Sequence, residues 1–256
     1  MRFNEMTNSR YGDLIYNKHD LYVGRSLALY KEFSEGEVEL FRQVVTPGMV
    51  VLDIGANIGA HTLFFSQAVG DAGQVHAFEP QRIVFQTLAG NMALNSVTNV
   101  FCHQQAVSDV QDILLVPCLD YAQPNNFGGL SLGAASEGEP VLAERIDDLG
   151  FPRADFVKLD IEGMELKALR GAEKLIHHSR PFLYVENDRP EGSRALIDFI
   201  AGLDYQLVWH RPPLFNPDNF AGNQENVFPG IFSLNMFCVP REKNMNLYGF
   251  EPVLQI

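Results

Sequence analysis

The chain has 256 residues, 46 % of them hydrophobic, and 32 acidic against 19 basic side chains give it a formal net charge of −13. That size fits one domain with a full hydrophobic core, and the acidic excess argues against nucleic acid and anionic membrane as partners, because non-specific phosphate binding draws on Lys and Arg. No stretch approaches the roughly 18 apolar residues of a membrane helix and the opening MRFNEMTNSRYGDL lacks a secretory pattern, so the expected setting is the cytoplasm. Cys102, Cys118 and Cys238 stand far apart with no CxxC pair, which argues against a disulfide framework or a structural zinc site.

Residues 1–48 precede the first core strand and form an N-terminal cap, whose YVGRSLALYKEFSEGEVELFRQVV ends in a helical pattern leading into the sheet. Residues 49–109 then alternate: VVLDIGA is strand-like, HTLFFSQAV continues as a helix, GDAG turns, and QVHAFEP is a second strand. In QRIVFQTLAGNMALN, Ile83, Val84, Leu88, Met92 and Leu94 fall close to helical spacing before the strand-like NVFCHQQAV. Residues 110–150 interrupt the alternation with DILLVPC, the turn-rich PNNFGGLSLG and PVLAERIDDLG, a pattern for an inserted hairpin. Residues 151–256 resume it with ADFVKLDIEG, a helical MELKALRGAEKLI, RPFLYVEN, a helical SRALIDFIAGL, YQLVWH and finally IFSLNMFCVP.

Alternation of this kind predicts an α/β fold, a single domain built on a mostly parallel sheet with helices on both faces. Such sheets bind ligands beyond the carboxyl ends of their strands, where the strand order reverses. The residues at strand ends therefore carry the reading. The first strand ends in DIGANIG, a glycine turn that lets backbone approach a ligand and opens a helix. A dinucleotide site would space its glycines as GxGxxG around a pyrophosphate. Here Asp53 stands two residues before Gly55, with Asn57 and Gly59 following, and an acid at that point suits an ammonium or sulfonium group instead. Glu79 ends the second strand, where a carboxylate accepts ribose hydroxyls in either ligand class. The pattern favours S-adenosylmethionine over a nicotinamide dinucleotide.

VVLDIGANIGAHT, HAFEP, QQAVSD, FVKLDIEGMELKALRGAEKLI and PFLYVEN, in this order, resemble the FkbM-type methyltransferases over about residues 20–240. The resemblance implies a class I, Rossmann-like fold with a seven-stranded sheet, and O-methylation of a hydroxyl on a sugar or a glycosylated or polyketide metabolite. It places Asp53, Gly55, Asn57 and Gly59 along the methionine part of the donor, Glu79 at its ribose, and Gln105 and Ala106 beside its adenine. It also implies that the N-terminal cap covers the donor, with Tyr22, Tyr30 and Glu37 facing inward. Each position has a plainer reading: Gly55 and Gly59 as packing glycines, Glu79 before Pro80 as a solvated turn, Gln105 as an ordinary strand-end residue. His61, two residues after Gly59, either reaches the donor or packs in the first helical turn.

The chemistry falls to the fourth and fifth strands. In FVKLDIEG, Phe156, Lys158 and Asp160 alternate onto one face, and a charge inside a central strand must be paired or must work; a Lys158–Glu186 pair is the structural alternative. Methyl transfer from a sulfonium needs the acceptor oxygen aligned and its proton removed. Asp160 at the strand end is the first candidate base, with Glu162 and Glu165 next and His210 as a second base; Glu165 also suits a helix N-terminus. A second route is Mg²⁺ held by Asp160, Glu186 and Asn187, an oxygen-rich set. His177 and His178 close a helix and read as structural.

The unpatterned stretch 211–230, RPPLFNPDNFAGNQENVFPG, is long enough to be functional or disordered. Its Asn216, Asn219 and Phe220, after Trp209, suit a polyhydroxylated ring, and the alternative is a surface loop held by Asn turns and buried Phe anchors. The expected partner is a small acceptor, a carbohydrate or glycosylated metabolite. Two other functions share these features: a nicotinamide oxidoreductase on a similar sheet, and a donor-binding module without turnover.

Overall fold

The computed structural model describes residues 2–132 and 135–253. Gly133 and Ala134 of the predicted insertion, and the last three residues of the 151–256 segment, lie outside the described residues.

The N-terminal segment forms a hairpin of β1 (Asn4–Ser9) and β2 (Gly12–Asn17), then α1 (Val23–Tyr30) and α2 (Glu35–Val44). The first half of the sheet follows as β3 (Val50–Ile54), α3 (Ala60–Val69), β4 (Gln74–Phe78), α4 (Arg82–Leu94) and β5 (Val100–His103). Residues 106–144 carry a small three-stranded sheet of β6 (Ala106–Val107), β7 (Asp112–Val116) and β8 (Glu139–Glu144), in which β7 and β8 are antiparallel. The second half comprises β9 (Phe156–Leu159), α5 (Glu165–Gly171), α6 (Glu173–Ser179), β10 (Phe182–Glu186), α7 (Pro190–Gly202), β11 (Tyr205–His210), β12 (Asn235–Pro240) and β13 (Glu251–Pro252).

The main sheet runs β5-β4-β3-β9-β10-β12-β11, the seven-stranded order, with the two-residue β13 as an eighth strand at the edge. Strands β5, β4, β3, β9 and β10 are parallel, while β12 is antiparallel to both β10 and β11. Every residue of β3, β9 and β12 is buried, as central strands covered on both faces require. On one face Leu52, Ile54, Val157, Leu159 and Leu183 pack with Leu169 of α5, Ile176 of α6 and Ile200 of α7. On the other, Val51, Val75, Phe156 and Tyr184 pack with Phe41 and Val44 of α2 and Phe65 of α3.

Two features of the second face position the site. Phe41, fully buried, stands edge-on to Tyr184 at 4.8 Å and to Phe156 at 5.5 Å, so it fixes α2 against the sheet. Glu37, one helical turn earlier on that face, is carried toward the carboxyl ends of the strands. The hairpin is held by α4: the Asn91 amide accepts the Ile15 N–H at 2.7 Å and donates to the Ile15 carbonyl at 3.0 Å, and Asn95 does the same for Asp13 at 2.9 and 2.7 Å. Two side-chain amides thus stand in for a strand.

The strand order reverses between β3 and β9, since the chain moves from β3 outward to β5 and then returns to β9 and on to β10. A crevice opens at the carboxyl ends of these two strands, the place such sheets offer a ligand.

Candidate active site

The turn after β3 folds as it does because two of its residues hold positive φ angles: Gly55 at +82° and Asn57 at +52°. A Cβ on Gly55 would collide with the carbonyl oxygen of Asp160 across the β3–β9 seam, so only glycine fits. The backbone at Gly55 therefore lies bare along a cleft of about 340 Å³. Ala56, Asn57, Ile58, His61 and Glu79 continue this wall. A second recess of about 40 Å³ adjoins it and shares Gly55, Glu79, Gly128, Asp160 and Glu162; its inner end is lined by Phe78, Gln105, Ala106, Leu130 and Met164. The larger cleft carries most of the acids, and the recess adds apolar side chains to those it shares with the cleft.

Glu79 is 4 % exposed, and its two oxygens accept the Asn57 N–H at 3.1 Å and the Gln81 N–H at 2.8 Å. Burial pushes this carboxyl up to about 7, against those two hydrogen bonds. Each oxygen keeps a free lone pair, enough to receive a pair of hydroxyls.

Lys158 is 3 % exposed, with its ammonium 3.2 Å from Asp160 and 3.7 Å from Asp53, and it donates to the Gly55 carbonyl at 3.5 Å. Burial works against its charge, but Asp160, Asp53 and Glu37 outweigh that and raise its pKa. Lys158 is a fixed cation. The predicted Lys158–Glu186 pair does not form: Tyr184 is the residue in register with Lys158, and Glu186 lies two positions further along β10.

The other acids are engaged in different ways. Glu162, at φ +58°, is paired with Arg189. Glu165 caps the turn before α5, accepting the Ile161 and Gly163 N–H groups at 3.2 and 3.0 Å. Glu186 has one buried oxygen without a partner. Burial and the neighbouring Asp160, Glu162 and Asp188 hold its pKa far above the usual carboxylate range, so it is a neutral acid.

Several predicted positions stand elsewhere. Asp53 is fully buried behind the cleft, accepting from the Thr62 hydroxyl at 2.6 Å and facing Lys158, so it supports the wall without lining it. Gly59 begins α3 at φ +88°, and a Cβ there would press on Leu88 and Met92; it is a packing glycine. Asn187 turns away from the acids, its amide donating to Met236 Sδ, because successive strand residues face opposite ways. The predicted metal set is therefore not assembled. Among the described residues the acidic groups close enough to share a cation are Asp160, Glu162 and Glu186, with oxygens within 4.8 Å of one another. Lys158 already pairs with Asp160 and Arg189 with Glu162, so two of the three acids have cationic partners.

The loop residues are likewise turned to other uses. Trp209 stacks under Arg211 at 4.8 Å and, with His210, lines a separate outer groove. His210 meets the Tyr184 hydroxyl at 2.8 Å, and burial lowers its pKa to about 4. Asn216 donates to Glu32 at 2.9 Å, Asn219 donates to the Asn216 and Asn223 carbonyls, and Phe220 lies beside Arg10 at 5.7 Å, half exposed. Tyr30 bonds the loop at Glu225 and Val227 and does not line the cleft. The loop is a braced structure, as Asn turns and buried aromatics predict.

The wall that faces Gly55 comes instead from Tyr22, Phe33 and Glu37 of the N-terminal segment, Asn126 of the insertion, and Leu214, Ile231, Phe232 and Ser233 of the long connection. Of these, Phe232 is 62 % exposed at the rim. None has a local sequence signature except Glu37, an acid on the buried face of an amphipathic helix.

The comparisons agree with this geometry. Residues 53–207 match the family model described as the methyltransferase FkbM domain. Methyltransferase sdnD of Sordaria araneosa is 25 % identical over 185 residues, 58 % of this chain and 70 % of that one. Among solved structures, Methyltransferase FkbM from Methylobacillus flagellatus KT superposes with a TM-score of 0.51 at 20 % identity, over 78 % of this chain and half the length of that protein. Precorrin-6y C5,15-methyltransferase from Geobacter metallireducens GS-15 gives 0.50 at 14 % identity, over 80 % and 86 %. A SAM-dependent O-methyltransferase from Thermotoga maritima gives 0.50 at 12 %, over 92 % and 77 %. At such identities these structures share the fold, the class I methyltransferase fold. With the family model covering more than half of its length, the chain belongs to the FkbM methyltransferase domain family.

Proposed function

We propose that this chain transfers the methyl group of S-adenosylmethionine to a hydroxyl of a small acceptor by in-line displacement. The observation that carries the donor is the charge of the cleft: Glu37, Glu79, Asp160, Glu162, Glu186 and Asp188 line it, and Lys158 is the cation among its lining residues. A pyrophosphate would meet a lining with more acids than cations, whereas an ammonium and a sulfonium are favoured by it. Glu79 would receive the ribose hydroxyls, and the adjoining recess, where Gln105 and Ala106 stand among apolar side chains, would take the adenine edge. Those features support the donor over the dinucleotide.

The acceptor would lie against the opposite wall, where Phe33, Leu214, Ile231 and Phe232 offer apolar faces and Asn126 and Ser233 offer hydrogen bonds. That mixture suits a ring carrying both a hydroxyl and an apolar face, the class that a glycosylated or polyketide metabolite represents. Displacement at a sulfonium needs no Lewis acid, only alignment and a proton acceptor.

Calorimetric titration with S-adenosylhomocysteine, using NAD as a control and Glu79→Ala as the variant, tests the donor. Micromolar binding that the variant weakens by about ten- to a hundredfold is expected, from the loss of charge-assisted hydrogen bonds. Binding of NAD in place of S-adenosylhomocysteine would overturn the reading.

A further inference from the structure

Resting on the donor reading above, we propose that Glu37 of the N-terminal helix α2 is the general base of the transfer, and that the positive charge of the donor prepares it by driving off its proton. The other acids of the cleft are each disqualified by a partner. Asp160 is held by Lys158 at 3.2 Å and Glu162 by Arg189. Both oxygens of Glu79 accept backbone N–H groups, Glu186 is neutral, and Asp188 lies within 3.7 Å of Arg189. Glu37 is buried, at 5 % exposure, and has no salt bridge to Lys or Arg among the described residues; Glu79 shares both properties, but each of its oxygens is tied to a backbone N–H, whereas Glu37 accepts a side-chain amide. Its Oε1 accepts the Asn235 amide at 3.1 Å, and its Oε2 stands 3.9 Å from His61 Nδ1, beyond hydrogen-bond reach.

The surroundings keep that carboxyl in a usable state. From α3 it faces His61, whose pKa burial lowers to about 3, so the imidazole is neutral. From β9 it faces Lys158, which is committed to Asp53 and Asp160, and Asp160 itself opposes the Glu37 charge. Asn235 of β12, with Ser233 and Ser34, contributes neutral donors, and Tyr184 of β10 bonds Asn235 at 3.0 Å from behind. Burial dominates and pushes Glu37 up to about 7. The free protein then keeps a share of Glu37 protonated near neutral pH, from which the donor can displace a proton.

A sulfonium in the cleft changes the balance. An opposite charge within about 4–6 Å lowers a carboxyl pKa by about 1–3 units, so the bound donor would empty Glu37 and leave a carboxylate for the acceptor. In the transfer the acceptor O–H bond breaks toward Glu37 while oxygen forms its bond to the methyl carbon. The carbon–sulfur bond breaks at the same time and its electron pair stays on sulfur. The sulfonium charge disappears as Glu37 gains the proton, so the cleft ends with neither the sulfonium charge nor the Glu37 carboxylate charge. The product, a neutral thioether, no longer opposes a protonated Glu37.

The sign is testable without an acceptor. Calorimetric titrations at pH 7, each in two buffers of different ionisation enthalpy, count the protons released by S-adenosylmethionine and by S-adenosylhomocysteine. The wild type should release more protons with the sulfonium than with the thioether. Glu37→Gln should abolish that difference and keep S-adenosylhomocysteine affinity within about threefold, while Glu186→Gln should retain it. Asn235→Ala removes a donor to the Glu37 carboxylate and raises its pKa further, so it should enlarge the release toward one proton. This second variant serves if Glu37→Gln does not fold. A difference that survives in Glu37→Gln, or one that Asn235→Ala shrinks, overturns the proposal. Failure of the wild type to bind either ligand overturns the donor reading beneath it.

Discussion

The two walls of the cleft are made differently. The wall at the strand ends is largely backbone: Gly55 with no side chain, Asn57 in a left-handed turn, and the N–H groups of Asn57 and Gln81 pinned to Glu79. The facing wall is made of side chains, Phe33, Glu37, Leu214, Ile231 and Phe232, from segments nearly 200 residues apart. A backbone wall suits a ligand that does not vary, because its groups cannot be exchanged without breaking the fold. A side-chain wall can change its ligand by substitution alone.

Breaking the first wall should have the largest effects. Lys158→Met leaves Asp53 buried and unpaired behind it, and should lower stability by about 3–5 kcal/mol, read as a fall in denaturant midpoint. Gly55→Ala, which drives a Cβ into the Asp160 carbonyl, should weaken S-adenosylhomocysteine binding by at least about a hundredfold in calorimetry. On the second wall, Phe232→Ala should raise the acceptor KM by about tenfold, the worth of one aromatic face, and leave donor affinity within about twofold. Donor loss in Phe232→Ala would mean that the two walls are not independent. The smallest effects belong outside both: Trp209→Ala, in the outer groove, and exhaustive chelation should each leave donor affinity and turnover unchanged.

The backbone wall is also the one that the sequence displays. Gly55, Asn57, Glu79 and Asp160 sit at the ends of apolar runs, and each effect that places them acts over a few residues: strand burial, a positive φ, a helix start. The mostly parallel sheet and the inserted β7–β8 pair follow from alternation that is equally local, whereas the strand order is set by tertiary pairing. Where local rules mislead, the reason is direction. Asn187 follows Glu186 in the chain but points through the sheet, and Gly59 faces Leu88 of α4 while Gly55 faces the cleft. The long connection misleads more deeply. Its asparagines have the chemistry for a polyhydroxylated ring, yet Glu32, 5 % exposed, organises them by accepting from Asn216 and from the Phe220 N–H. Only the tertiary pairing of residues 184 and 188 positions apart reveals that. Glu37 is visible as an acid on the buried face of a helix, but what it faces comes only from the strands it is packed against.

The amides of Asn91 and Asn95 have a bearing on assembly. The hairpin they grip lies 76 and 82 residues earlier in the chain, so it leaves the ribosome well before its clamp exists. A hairpin of two strands is marginal alone in water, and this one must wait for α4. The first hairpin would thus settle after the first βαβα unit has formed, while α2 behind it is fixed by the core through Phe41. Amide exchange should find residues 13–15 opening ahead of β3 and β9, with α2 protected like the sheet it packs on.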